Sequence, residues 1–249
     1  MKIGIGCGVD ATKVVASAER VAKSGIEIIC YSHDDIKSDR VSLSVSEFPE
    51  KMLVDDLYSG KIDAAIRGSL PANDTLKYLK SVFQVNHLER IALLETVDGK
   101  QFFFAPVGVD EGWTVAEKVE FVTKAQRLAV SFGLSPKTAI LSGGRMGDIG
   151  RHEKVDQSIR DAEEVAHLTG AEHREILIED AVKDCGVIIA PDGISGNLIF
   201  RTLVFLGGGR GLGAPVVNIP ALFVDSSRAS FGYDEILKIT ASVATRKNR

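Results

Sequence analysis

The chain has 249 residues, 45% of them hydrophobic, with 30 basic against 34 acidic side chains and a formal net charge of −4. That length fills one large α/β core or two modest ones, and the near balance of charge withholds the broad basic face that nonspecific nucleic-acid binding requires. No nucleic-acid partner is expected.

The start MKIGIGCGVDATKVV lacks the apolar core and cleavage site of a signal peptide, and no apolar run reaches membrane-spanning length, so the expectation is a soluble cytoplasmic protein without membrane contact. Cys7, Cys30 and Cys185 stand apart from one another. Neither they nor the five histidines show zinc spacing, so no metal is expected and the thiols read as buried and reduced.

Short apolar runs then alternate with helical stretches: KIGIG, DATKVVASAERVAKSG, IEIICY, VSLSV, PEKMLVDDLYSG, IDAAI, NDTLKYLKSVF. That rhythm predicts βαβ units in an α/β fold with mainly parallel sheets. Near residue 87 it breaks, and RIALLETVDGKQFFFAPVG predicts two strands joined at Asp98-Gly99. Thr114 and Glu117 then have capping-box spacing at the head of a helix that Gly133 and Pro136 close.

The strand TAILS, a charged helix from about 153 to 168, a strand near 176–178 and the strand GVIIA follow. A helix to Leu206, the connection GGGRGLGAP, a strand VVNI and a last helix from about Tyr233 complete the chain. The hairpin and the break near residue 87 predict a two-lobed molecule rather than one continuous sheet.

Parallel α/β sheets bind ligands beyond the carboxyl ends of their strands, which directs attention to the loops that follow strands. IDAAI runs into RGSLPAND, TAILS into GGRMGDIGR, GVIIA into PDGISGN, and the strand ending near Val224 into DSSRASFGYD. Candidate substrate or anion contacts are therefore Arg67, Gly68 and Ser69; Ser142, Gly143, Gly144, Arg145 and Arg151; and Asp192, Gly196 and Asn197. Arginine forks suit phosphate oxygens, and glycine lets a ligand approach the backbone; the same residues also serve ion pairs and turns. The IGIGCG run places Gly4, Gly6 and Gly8 after the first strand, like a nucleotide or S-adenosylmethionine loop, but its spacing is not GxGxxG and a tight turn is the preferred reading.

The order of DAAIRGSLPANDTL, AEKVEFVTKAQRLAVSFGLSPKTAILS, PDGISGNLIFRTLVFLGG and DSSRASFGYDEIL resembles the phosphotransacetylase family, whose fold is that of isocitrate and isopropylmalate dehydrogenases. PDGISGN resembles the family's P-D-x-x-x-G-N, and Asp225-Ser226-Ser227-Arg228 with Asp234 resembles its D-L-S-R and following acid. Within the family the chain is most similar to the methanogenesis marker protein 4 group, the methyltransferase-related MtxX proteins. The resemblance implies two α/β lobes, residues 1–86 with 221–249 as the first and 87–220 as an inserted second, with an active cleft between them, usually as a homodimer, and no tightly bound cofactor, with coenzyme A or phosphate as substrate.

It also implies that Ser227 and Arg228 bind and polarise an acyl phosphate while Asp234 takes the proton of the coenzyme A thiol. Three departures point to a different substrate. Leu70-Pro71-Ala72-Asn73 replaces the family's histidine and threonines, Ala229-Ser230 replaces Gly-Cys, and Gly143, Gly144, Arg145, Asp148 and Arg151 fill a loop that is otherwise rich in serine and threonine. The function expected is group transfer on an acyl, phosphate or coenzyme-bearing substrate. A methyltransferase and a non-catalytic ligand-binding or assembly protein are the alternatives.

Overall fold

A computed structural model of the chain describes residues 1–227 and 232–247. The chain divides into two compact units, one formed by Met1–Leu88 and Leu212–Arg249, the other by Glu89–Gly211. The return to the first unit thus falls at Leu212, ahead of the boundary expected at 221.

The first unit contains β1 (Lys2–Cys7), α1 (Ala11–Ala22), β2 (Glu27–Ser32), β3 (Ser42–Val45), α2 (Pro49–Tyr58), β4 (Ala64–Ile66) and α3 (Ala72–Phe83). The second runs through β5 (Ala92–Glu95), β6 (Gln101–Ala105), α4 (Val115–Phe132), β7 (Thr138–Ile140), α5 (Glu153–Thr169), β8 (Glu172–His173), α6 (Ile178–Asp184), β9 (Val187–Ile189), α7 (Gly193–Arg201) and β10 (Arg210–Gly211). The chain then re-enters the first unit with β11 (Ala214–Pro215), β12 (Phe223–Asp225) and α8 (Asp234–Lys247).

In the first unit the strand order is β11-β12-β4-β1-β2-β3, and all neighbours are parallel except β11 and β12. The central strands are apolar on both faces, as a sheet covered twice requires: Ile3, Ile5, Ala64, Ala65 and Ile66 are fully buried. One face packs on α1 and α8 through Val14, Ala18, Ile236 and Leu237; the other packs on α2 and α3 through Leu53, Leu57 and Leu79.

The second unit has the order β10-β5-β6-β9-β7-β8, parallel from β6 to β8 and antiparallel at β10 and β5. The hairpin turns at Gly99, whose φ of 85° favours glycine. At the head of α4 the Thr114 hydroxyl accepts from the Glu117 amide (3.2 Å) and the Glu117 carboxylate from the Thr114 amide (3.1 Å), a reciprocal cap of about 1 kcal/mol. Gly133, at φ 75°, ends the helix.

Two expected strands differ. The apolar run around 176–178 is the approach to α6, and the strand beside β7 is the short Glu172–His173. VVNI contributes the single amide of Val216 to the Phe223 carbonyl (2.9 Å), and the strand proper is β12. GGGRGLGAP is shared between the sheets, since β10 pairs with β5 and β11 with β12.

Candidate functional site

At the carboxyl edge of the first sheet, the loops after β1 and β4 close on each other. The Ser69 amide donates to the Gly6 carbonyl (3.0 Å), and the Gly8 amide donates to the Ser69 hydroxyl (2.8 Å). A Cβ on Gly6 would stand 2.2 Å from the Leu70 side chain and 2.4 Å from the Arg67 carbonyl; one on Gly68, at φ +60°, would stand 2.0 Å from the Gly6 carbonyl. Gly6 and Gly68 are therefore required by the close approach of these two loops. The face that Gly6 would offer a nucleotide is filled by Leu70, in keeping with the tight-turn reading.

β12 lies beside β4 and delivers Asp225, Ser226 and Ser227 to the same edge. The buried Arg67 guanidinium donates to the Asp225 carboxylate (2.5 Å) and to the Leu70 carbonyl (2.7 Å), while the Ser226 hydroxyl donates to the Gly68 carbonyl (2.9 Å). Arg67 thus joins the two loops, and two of its nitrogens are committed within the protein. Arg228, the expected anion ligand, lies outside the described residues.

Asp234 opens α8 and is held by α1. Arg20 grips its carboxylate with two nitrogens (2.6 and 2.8 Å), and Ser17 accepts from Arg20 (3.0 Å) and from the Tyr233 amide (3.2 Å). The Arg20 hydrogen bond, outweighing partial burial, keeps the Asp234 carboxyl below the usual aspartate range. The phenol of Tyr233, pushed up to about 12 mainly by burial, donates to the Ser227 carbonyl (3.2 Å). Sequence reasoning passed over Ser17, Arg20 and Tyr233, because α1 is remote in the chain and Tyr233 read as the first apolar residue of a helix.

At the carboxyl edge of the second sheet, the loop SGGRMGDIGR is tied down by the protein's own side chains. The amides of Gly143, Arg145, Met146 and Gly150 donate to Ser158 (2.8 Å), Asp148 (2.9 Å), Glu175 (2.8 Å) and Asp156 (2.8 Å). Arg151 pairs with Asp148 at 2.6 Å, whereas Arg145 is exposed and makes no ion pair among the described residues. Gly144 is buried against Val155, whose Cγ1 would lie 2.7 Å from an added Cβ.

The buried Ser142 hydroxyl donates to the Gly144 carbonyl (2.8 Å) and meets His173 Nε2 at 2.9 Å, which assigns the proton to Nε2. Burial lowers the pKa of His173 and favours this neutral form.

PDGISGN is used in packing. Asp192 caps α7 by accepting from the Ser195 amide (2.8 Å), and Asn197 donates to the Val107 carbonyl (2.8 Å). A Cβ on Gly193 would come within 1.7 Å of the Gly108 carbonyl, and one on Gly196 within 1.9 Å of the Pro106 carbonyl. The motif presses α7 onto the loop between β6 and α4. There the Arg90–Glu111 ion pair (2.6 Å) leaves 1% of the Glu111 side chain exposed, and burial raises the pKa of Glu111 against the pull of Arg90. The sequence signal for this loop, PVGVDEGW after a strand, carries two glycines and an aspartate, as PDGISGN does. Among the described residues no cluster of acidic, histidine or cysteine side chains could hold a metal ion, and no helix is long and apolar enough to cross a membrane.

No protein-family model matches the chain. It is 47% identical over 207 residues to a Methanosarcina mazei protein named "Putative methyltransferase mtx subunit X", covering 80% of this chain and 73% of that protein. A Methanosarcina acetivorans protein of the same name is 42% identical over 241 residues, covering 93% and 86%. An uncharacterized methyltransferase of Methanopyrus kandleri is 33% identical, covering 98% and 99%.

Among solved structures, a branched-chain phosphotransacylase from Enterococcus faecalis superposes with a TM-score of 0.73 at 18% identity over the whole of both chains. A phosphotransacetylase from Streptococcus pyogenes gives 0.69 at 17% identity, covering 100% of this chain and 94% of that one. Isocitrate dehydrogenase from Methylococcus capsulatus gives 0.56 at 11%, covering 99% and 85%. The chain therefore belongs to the methanogen family of mtx subunit X proteins, and its fold is that of the phosphotransacetylases.

Proposed function

We propose that the protein is a group-transfer enzyme of methanogens that takes an acyl, phosphate or coenzyme-bearing substrate at the carboxyl edge of its first sheet. The observation that carries this reading is the junction of the Asp225–Ser227 loop with the Arg67–Ser69 loop through the Arg67–Asp225 ion pair and the Ser226–Gly68 hydrogen bond. The likeness of fold to phosphotransacylases supports it. In this reading Ser227 and Arg228 bind the anionic group, and Arg67 and Tyr233 position their loop without touching it.

Asp234 has a different role from the one the resemblance implies. Reference values of about 3.9 for aspartate and about 8.5 for a thiol leave roughly 6 kcal/mol against proton transfer, and the Arg20 pairing widens that gap. We assign Asp234 to anchoring the loop end. Coenzyme A or acetyl phosphate should raise the melting temperature, and Arg228→Ala should abolish the rise. The absence of any rise with either ligand would remove the proposal.

The names of the relatives favour methyl transfer as the second reading. It requires binding of S-adenosylmethionine or a methyl carrier, and a flat calorimetric titration with these would eliminate it. We also propose a homodimer, supported by the exposed uncharged side chains Ile194 and Leu198 along α7 and Leu206 just beyond it. Sedimentation of wild type and Leu198→Asp tests this.

A further inference from the structure

Helix α2 carries three acids, and two of them are answered by donors. Asp55 accepts from the Tyr78 hydroxyl (2.9 Å), and Asp56 accepts from the Tyr31 hydroxyl (2.9 Å) and the Lys61 ammonium (2.7 Å). Glu50 is the most enclosed of the three, at 9% exposed, and has no hydrogen bond or ion pair among the described residues. The cation next to it in sequence, Lys51, lies over the Phe48 ring, 4.2 Å from its centre.

An acid in the first turn of a helix is ordinary, because the macrodipole and water both favour it. Glu50 differs in taking the inward face. It falls on one stripe with Leu53, Val54 and Leu57, all buried. Because α2 joins β3 to β4, which run parallel in one sheet, its first turn lies at the carboxyl edge of that sheet. Leu53 packs on β1 at Gly4, where an added Cβ would stand 2.7 Å from its Cδ1. Glu50 stands three residues, about 4.5 Å, nearer the edge, toward the level at which Leu70 covers Gly6.

Enclosing a carboxylate without a donor costs free energy that a partner recovers. Thr240 Oγ1 is the one fully enclosed side-chain oxygen or nitrogen without a partner among the described residues, so the Glu50 carboxylate reaches solvent and is open to a ligand. A walled negative charge without donors fits a positive one. A metal ion would need further ligands, and no cluster of acidic, histidine or cysteine side chains among the described residues supplies them. An organic ammonium needs only the carboxylate.

We propose that Glu50 receives an ammonium group of the ligand at the carboxyl edge of the first sheet. The proposal rests on the group-transfer reading for a substrate at that edge. It adds to the substrate's class an amine nitrogen at Glu50, beside the anionic group at the Ser227 loop. The strand order places β1 two strands from β12, about 10 Å, so a ligand holding both charges carries them several atoms apart.

Calorimetry at matched salt compares aminoalkyl phosphates, with chains of two to about six carbons to scan that distance, against alkyl phosphates of the same lengths. We expect at least one aminoalkyl phosphate to bind wild type roughly tenfold or more tightly than its alkyl counterpart, and the nearly isosteric Glu50→Gln to remove that advantage. N-acetylated aminoalkyl phosphates keep the length and lose the charge. They repeat the comparison on the wild-type protein should the variant fail to fold, and they are expected to lose the advantage too.

The proposal is overturned if no aminoalkyl phosphate binds wild type more tightly than its alkyl and N-acetylated counterparts, or if the advantage persists in a folded Glu50→Gln. The two readings fail separately. Alkyl phosphates that bind wild type but not Arg228→Ala, with no gain from the amine, remove the Glu50 site alone. A Glu50-dependent gain that survives Arg228→Ala, in a protein that acetyl phosphate does not stabilise, keeps the Glu50 site and removes the group-transfer reading.

Discussion

The clamp between Arg20 and Asp234 can be isolated by a double-mutant cycle with Arg20→Ala, Asp234→Asn and the pair combined. The Arg20 side chain is 55% exposed and that of Asp234 27%, so solvent screening keeps the interaction near the values of surface pairs. Its two-pronged geometry and the Ser17 hydroxyl place it toward the upper end, at about 0.5–1 kcal/mol of coupling. Asp234 has a lowered folded-state pKa, so this stability is complete above the ordinary aspartate value of about 4 and is lost as pH falls through the lowered value. Urea unfolding of the four proteins at neutral and acid pH measures it. Coupling indistinguishable from zero at neutral pH, or undiminished in acid, would refute the clamp and return Asp234 to candidacy as a free base.

Further consequences follow from packing and titration. Gly196→Ala forces a Cβ to within 1.9 Å of the Pro106 carbonyl and should cost about 1–3 kcal/mol or more in urea unfolding. A Cβ on Gly143 would stand 3.3 Å from the Ser158 hydroxyl, a tight contact that a shift of a few tenths of an ångström relieves, so Gly143→Ala should cost about 1 kcal/mol or less. His173 has a lowered folded-state pKa, so its contribution is present above the ordinary histidine value of about 6.5 and is lost as pH falls below it. His173→Gln should flatten that limb of the melting-temperature profile.

The fold was legible wherever the deciding contacts are local. Thr114 and Glu117 stand three residues apart, the Asp98-Gly99 turn closes its own hairpin, and alternating runs sufficed for the parallel sheets. Short apolar runs were ambiguous: the stretch before α6 and VVNI have strand composition but lack a partner strand along their length. Site chemistry was less legible because its partners are distant in sequence. Gly6 is constrained by Leu70, Asp234 by Arg20 and the Met146 amide by Glu175. A glycine tells that something comes close. Whether a ligand or another backbone does so is settled only by the fold.

The central claim is that the loop carrying Ser227 and Arg228 binds an anionic group at the carboxyl edge of the first sheet. Its most direct test is a calorimetric titration of acetyl phosphate into wild type and Arg228→Ala at matched salt. Wild type should bind saturably and Arg228→Ala not at all, with melting temperatures of the unliganded proteins alike. Equal binding by the two, or no binding by wild type, would contradict it.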